Sequence, residues 1–65
     1  MDISRHLEVI ERLVGIVEPG TEASLEANGY EYNIEYTGTL YSVEISKNGM
    51  LVVRLEFKRL DHLLL

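Results

Sequence analysis

The chain has 65 residues, no cysteine and a net charge of −5, and hydrophobic residues make up 46% of it. That length gives one domain, residues 1–65, with a marginal core, because so short a chain buries only roughly 60% of its unfolded surface. The missing cysteines exclude disulfides and a thiolate metal site, and no apolar run approaches the roughly 18 residues needed to span a bilayer.

The apolar fraction is high for a chain with no covalent staple, so part of that surface is expected to be buried against another copy, a homodimer first. The start, Met1-Asp2-Ile3-Ser4-Arg5-His6, lacks the charged and apolar regions of a signal peptide, which points to a cytoplasmic setting. Between Arg12 and Lys47 there is no Lys or Arg, whereas Glu18, Glu22, Glu26, Glu31, Glu35 and Glu44 all fall there. Binding to a phosphate backbone needs clustered cations that release counterions, so nucleic acid is disfavoured as a partner.

From Asp2 to Val17 the apolar residues Ile3, Leu7, Val9, Ile10, Leu13, Val14, Ile16 and Val17 fall within about half of a helical wheel. Ser4, Arg5, Glu8, Glu11 and Arg12 fill the other half, with Glu8 and Arg12 in the favourable i,i+4 order. Asp2 or Ser4 can cap the N-terminus, and Pro19-Gly20 ends the helix.

After Pro19-Gly20 the apolar period changes to 2. Ala23, Leu25 and Ala27 lead to Asn28-Gly29, the dipeptide best suited to a type I′ hairpin. A two-residue loop there sets Ala27 opposite Tyr30, Leu25 opposite Tyr32 and Ala23 opposite Ile34, all on one face. The second strand runs from Tyr30 to Thr37, Gly38 turns the chain, and Tyr41, Val43 and Ile45 continue the inward set. Lys47-Asn48-Gly49 reads as a three-residue loop that sets Ile45 against Leu51 and Val43 against Val53. The fourth strand runs to about Lys58, and Leu60 to Leu65 reads as a short helical turn. The fold class is therefore α+β: an N-terminal amphipathic helix packed on a four-stranded antiparallel β-meander, with neighbouring elements adjacent.

Few residues carry chemistry. His6 sits near the centre of the helix's apolar arc, where it is either a ligand or pH-sensitive interface group, or a core-edge histidine whose ring nitrogen meets a backbone carbonyl. His62 is the other histidine, and the two lack metal-site spacing. No serine nucleophile motif, phosphate loop or cysteine–histidine pair is present, so a non-enzymatic protein with no cofactor and no metal is expected. Tyr30, Tyr32, Tyr36 and Tyr41 share the inward parity. They are either ordinary strand packing or a ligand or partner surface, since tyrosine is enriched at interfaces. Glu26 and Glu31 should be directly opposed, with Glu44 nearby, a repulsive arrangement that a basic partner would relieve. Leu40, Met50 and Val52 break the polar outer face, and Leu60, Leu63, Leu64 and Leu65 add an apolar tail suited to self-association.

Ser24-Leu25-Glu26-Ala27-Asn28-Gly29, Gly38-Thr39-Leu40, Glu44 and Asn48-Gly49-Met50-Leu51-Val52 together resemble the first motif of Sm-like RNA-binding proteins. Those proteins also place a helix before a bent sheet and assemble into rings. The resemblance covers roughly half the chain and implies Glu44 and Asn48 as base-contacting positions. Glu stands where that family usually has Asp, Gly29 to Gly38 is longer than the family's spacing, and no arginine-glycine pair follows Leu55.

The residues themselves point to a small self-associating protein-interaction module of inhibitor or regulator type, its acidic sheet face turned to a basic partner and no membrane involved. The alternatives are an Sm-like RNA-binding ring and a small-ligand binder using the tyrosine face.

Overall fold

The computed structural model describes residues 3–63. Helix α1 (Ser4–Ile16) is followed by strands β1 (Thr21–Ala27), β2 (Tyr30–Tyr36), β3 (Tyr41–Lys47) and β4 (Met50–Phe57), and then by a 3₁₀ turn, Leu60–Leu63. The strands form one antiparallel sheet in the order β1-β2-β3-β4. The expected α+β architecture is thus the observed one, and its 29 × 26 × 16 Å extents are those of one helical layer on one sheet.

Helix α1 begins at Ser4. The residue in the capping position is Ile3, whose side chain makes no capping bond, so Ser4 opens the helix and does not cap it; Asp2 lies outside the described residues. The Glu8–Arg12 pair forms at 3.2 Å on the exposed side. The helix stops where Val17 turns extended, at ψ 133°, two residues before Pro19. Pro19 and Gly20 then occupy the centre of a tight turn. Thr21 N–H donates to the Glu18 carbonyl at 3.0 Å, and Gly20 takes φ +80°, the combination a type II turn requires. The Thr21 hydroxyl reinforces it, donating to the Glu18 carbonyl at 2.7 Å and accepting from the Glu18 N–H at 3.1 Å.

The first hairpin has the expected register. Ala27 faces Tyr30, Leu25 faces Tyr32 and Ala23 faces Ile34, around an Asn28-Gly29 turn with both residues at positive φ. The last hairpin does not. The turn is Asn48-Gly49 alone, at φ 54° and 79°, flanked by the pair Lys47–Met50. One extra residue, Val52, then bulges between the pairs Ser46–Leu51 and Ile45–Val53, after which Val43 faces Leu55 and Tyr41 faces Phe57. The three-residue loop and the Ile45–Leu51 and Val43–Val53 pairs expected from the sequence are corrected accordingly. The bulge restores the inward parity of Val53, Leu55 and Phe57 while keeping the favoured two-residue turn, and Leu51 moves from the core to the surface.

The core joins Val9, Ile10, Leu13 and Val17 of the helical side to Tyr32, Ile34, Val43, Ile45 and Phe57 of the sheet. Each such side chain contributes about 1.5–3 kcal/mol on burial. The helix does not cover the whole apolar face. It is seated mainly on β1 and β2, and the 3₁₀ turn lies against β4, where Leu60 and Leu63 pack on the same core. No helix among the described residues is long and apolar enough to cross a membrane.

Candidate functional site

Three surfaces follow from this register. At one end of the inner face, His6 is fully buried, and its Nδ1 lies 2.7 Å from the Tyr32 hydroxyl. This ring nitrogen therefore meets a side chain from the sheet. Tyr30 packs edge-on against His6, with ring centroids 4.8 Å apart, and the Lys47 ammonium sits 5.1 Å over the Tyr30 ring. Arg5, His6, Asn28, Tyr30 and Tyr32 line an open depression of about 370 Å³. Burial, with the neighbouring Tyr30 phenol next in importance, holds the Tyr32 pKa above its ordinary value, while Arg5 pulls it down.

At the other end, Tyr36, Tyr41 and Phe57 stack in a row across β2, β3 and β4. The Tyr36 and Tyr41 rings are 4.0 Å apart at 7°, and the Tyr41 and Phe57 rings are 5.2 Å apart at 18°. The Tyr36 hydroxyl donates to the Gly38 carbonyl at 3.0 Å. Burial, then Tyr36, raises the Tyr41 pKa. The tyrosines therefore form two separate groups, one at each end of the inner face.

The outer face is acidic. Glu26 faces Glu31 as expected, and Glu22 faces Glu35, a second like-charge pair that the sequence reading leaves out. Glu44 stands one row away, opposite Asn33 on β2 and Arg54 on β4. Glu56 continues the row of Glu22, Glu35 and Ser42, and its carboxylate is 3.8 Å from the Arg54 guanidinium. Among the described residues no group of three or more His, Asp or Glu is arranged to hold a metal ion. Glu44 lies within β3 and Asn48 at the β3–β4 turn, so the strand rise sets them about 13 Å apart along the chain.

The third surface is the edge strand β4. Met50, Leu51 and Val52 are 73%, 58% and 43% exposed, consecutive apolar residues on a strand that among the described residues has a neighbour on one side only. Of the tail leucines, Leu60 and Leu63 are half-buried against the chain's own core, and Leu64 and Leu65 lie outside the described residues. Among the described residues the exposed apolar surface on β4 exceeds that of Leu60 and Leu63. Leu51, expected inside from the sequence, is exposed; the signal for the edge is the run Met50-Leu51-Val52-Val53, whose members cannot all face one side of a sheet.

No known family model, no curated protein and no solved structure matches this chain.

Proposed function

We propose that this protein is a small, non-enzymatic protein-interaction module of inhibitor or regulator type that associates with itself and turns its glutamate-lined sheet face to a basic partner. The observation that carries the reading is the exposed apolar run Met50-Leu51-Val52 on an edge strand. A strand edge with free backbone groups and apolar side chains is a template for adding another strand, and isolated soluble domains usually blunt such edges. The opposed pairs Glu26–Glu31 and Glu22–Glu35, with Glu44 between β2 and β4, supply the field that a cationic surface would neutralise.

Light scattering over a dilution series tests the self-association. A mass that falls from dimer to monomer on dilution supports it, and a monomer throughout removes it. For the acidic face, titration with a basic peptide should give salt-sensitive binding that weakens when Glu26, Glu31 and Glu44 are replaced by Gln. Binding indifferent to those changes would remove that half of the reading.

A second reading, a small-ligand binder, is favoured by one observation only: the open depression where Arg5 and Asn28 adjoin the His6, Tyr30 and Tyr32 rings. Amide chemical-shift changes confined to those residues on adding small aromatic acids would support it, and their absence across a fragment set would leave it without support.

A further inference from the structure

We propose that the self-association follows one defined geometry: two copies join β4 to β4, antiparallel, about a two-fold axis through Leu55, so that Arg54 of each copy faces the partner's Glu56. This inference rests on the self-association reading above and adds the surface, the register and the symmetry.

The geometry follows from β4 itself. Its ladder with β3 is irregular at Val52 and regular from Val53 to Phe57, where the strand ends. A new strand can therefore pair evenly only along Val53–Phe57, and the midpoint of that segment is Leu55. Directly opposed residues in an antiparallel pair lie on the same face. A two-fold centred on a residue thus keeps the apolar faces of both copies on one side and the acidic faces on the other, whereas a centre between residues would set Leu55 beside charge.

Charge then selects among the centres within the segment. A centre at Arg54 opposes two arginines. A centre at Glu56 opposes two glutamates and sets Arg54 against Lys58. A centre at Val53 sets Arg54 against Val52 and leaves both charges without an opposite, and a centre at Phe57 sets Glu56 against Lys58 but keeps only one pair within Val53–Phe57. With Leu55 at the centre, Arg54 faces the partner's Glu56 twice over, Val53 faces the partner's Phe57, and Val52 faces the partner's Lys58, whose alkyl stem can cover it.

Within one copy, Arg54 already lies 3.8 Å from Glu56. The pairing therefore closes a ring of alternating charge: Arg54, Glu56, the partner's Arg54 and the partner's Glu56. It also carries the exposed Leu51 and Met50 past the end of the partner's β4, toward the partner's Leu60–Leu63 turn. The opposite edge cannot do the same. On β1 the outward charges are Glu22 and Glu26, so every in-face register of β1 with itself opposes carboxylates or leaves them unmatched. Repulsion between two β1 edges leaves β4 as the edge that can pair with its own copy.

The test uses the full chain, which has no cysteine. Leu55→Cys places a single thiol on the axis, where the two Cα atoms would be about 4.5–5.5 Å apart, inside the range a disulfide accepts. Mild oxidation should convert it rapidly to a covalent dimer, and Ser24→Cys on the β1 edge should not cross-link at the same rate. Arg54→Glu should weaken the dimer by at least about tenfold, because both cross-strand pairs become repulsive. Combining it with Glu56→Arg should restore the dimer, which no loss of folding can imitate. Self-association that survives Arg54→Glu, with no preferential Leu55→Cys cross-link, overturns the β4 pairing while leaving the self-association reading intact. A wild-type chain that stays monomeric through the dilution series removes both.

Discussion

The imidazole of His6 and the hydroxyl of Tyr32 meet at 2.7 Å across 26 residues of sequence, both inside the core, and this bond ties the helix to the sheet. Neither residue is more than 1% exposed, so the bond is made in a region of low polarity.

Removing one partner of a buried pair costs the desolvation of the group left behind. Tyr32→Phe should therefore lower stability by about 1–3 kcal/mol, read as a shift in the urea midpoint at unchanged slope. Tyr36→Phe removes a hydroxyl that bonds an exposed carbonyl, so it should cost less. Equal losses from the two substitutions would refute the distinction.

The raised pKa values of Tyr32 and Tyr41 predict an alkaline limit. The folded chain holds these phenolic protons more tightly than the unfolded chain does. Their contribution is whole below the unfolded value, near 10, and is lost as pH rises through the higher folded values. Stability measured in urea should fall across this alkaline range, and the fall should be shallower in Tyr32→Phe. A slope the same in both proteins would contradict the assignment.

The last hairpin makes two opposed predictions. Gly49 stands at φ +79°, so Gly49→Ala should cost about 1–2 kcal/mol even though an added Cβ would meet nothing within 4 Å. Deleting Val52 removes the bulged residue and leaves every pair from Val53 to Phe57 in place. That deletion should keep the fold, with amide shifts in β3 opposite Val53–Phe57 nearly unchanged; wholesale shift changes in β3 would show that the bulge sets the register.

The facing glutamates predict a response to salt. Glu31→Gln should raise stability by a few tenths of a kcal/mol at low ionic strength, and the gain should shrink as salt screens the remaining charges. Lower stability in the variant would show that Glu26–Glu31 repulsion is already relieved in the free chain.

The acidic face also predicts the fate of the RNA-binding alternative. Arg54 is flanked by Glu44 and Glu56, so few cations stand free to contact phosphates. Fluorescence anisotropy with a labelled single-stranded RNA at low salt should show no binding. A salt-sensitive affinity lost on replacing Lys47 or Lys58 would favour the ring-forming alternative over the interaction module.

Much of this fold is written in local pattern. The wheel of Val9, Ile10 and Leu13 marked the helix, and Asn28-Gly29 between two alternating segments fixed the first hairpin because turn and pattern demand the same register. The second Asn-Gly turn misled for a physical reason. Met50 to Val53 are consecutively apolar, so alternation is silent there, and a bulge and a longer loop give Val53 and Leu55 the same parity. Only pairing across the strands separates them. The surfaces were less legible. Glu26 and Glu31 face each other because the turn is local. The His6–Tyr32 bond and the seating of Leu60 and Leu63 on the core depend on how distant segments meet, which residue spacing does not encode.

The order β1-β2-β3-β4 has a kinetic consequence. Every strand pairs with its neighbour in the chain, and each pair is joined by a short turn. No long loop must close before the sheet gains its first ladder bonds, so the entropic barrier to each pairing is small. The sheet can zip outward from its Asn-Gly turns, with docking of the helix and seating of Leu60 and Leu63 as the steps that bring together segments far apart in the chain. Folding should be quick, leaving core residues such as Ile34 and Val43 only briefly exposed to other unfolded chains.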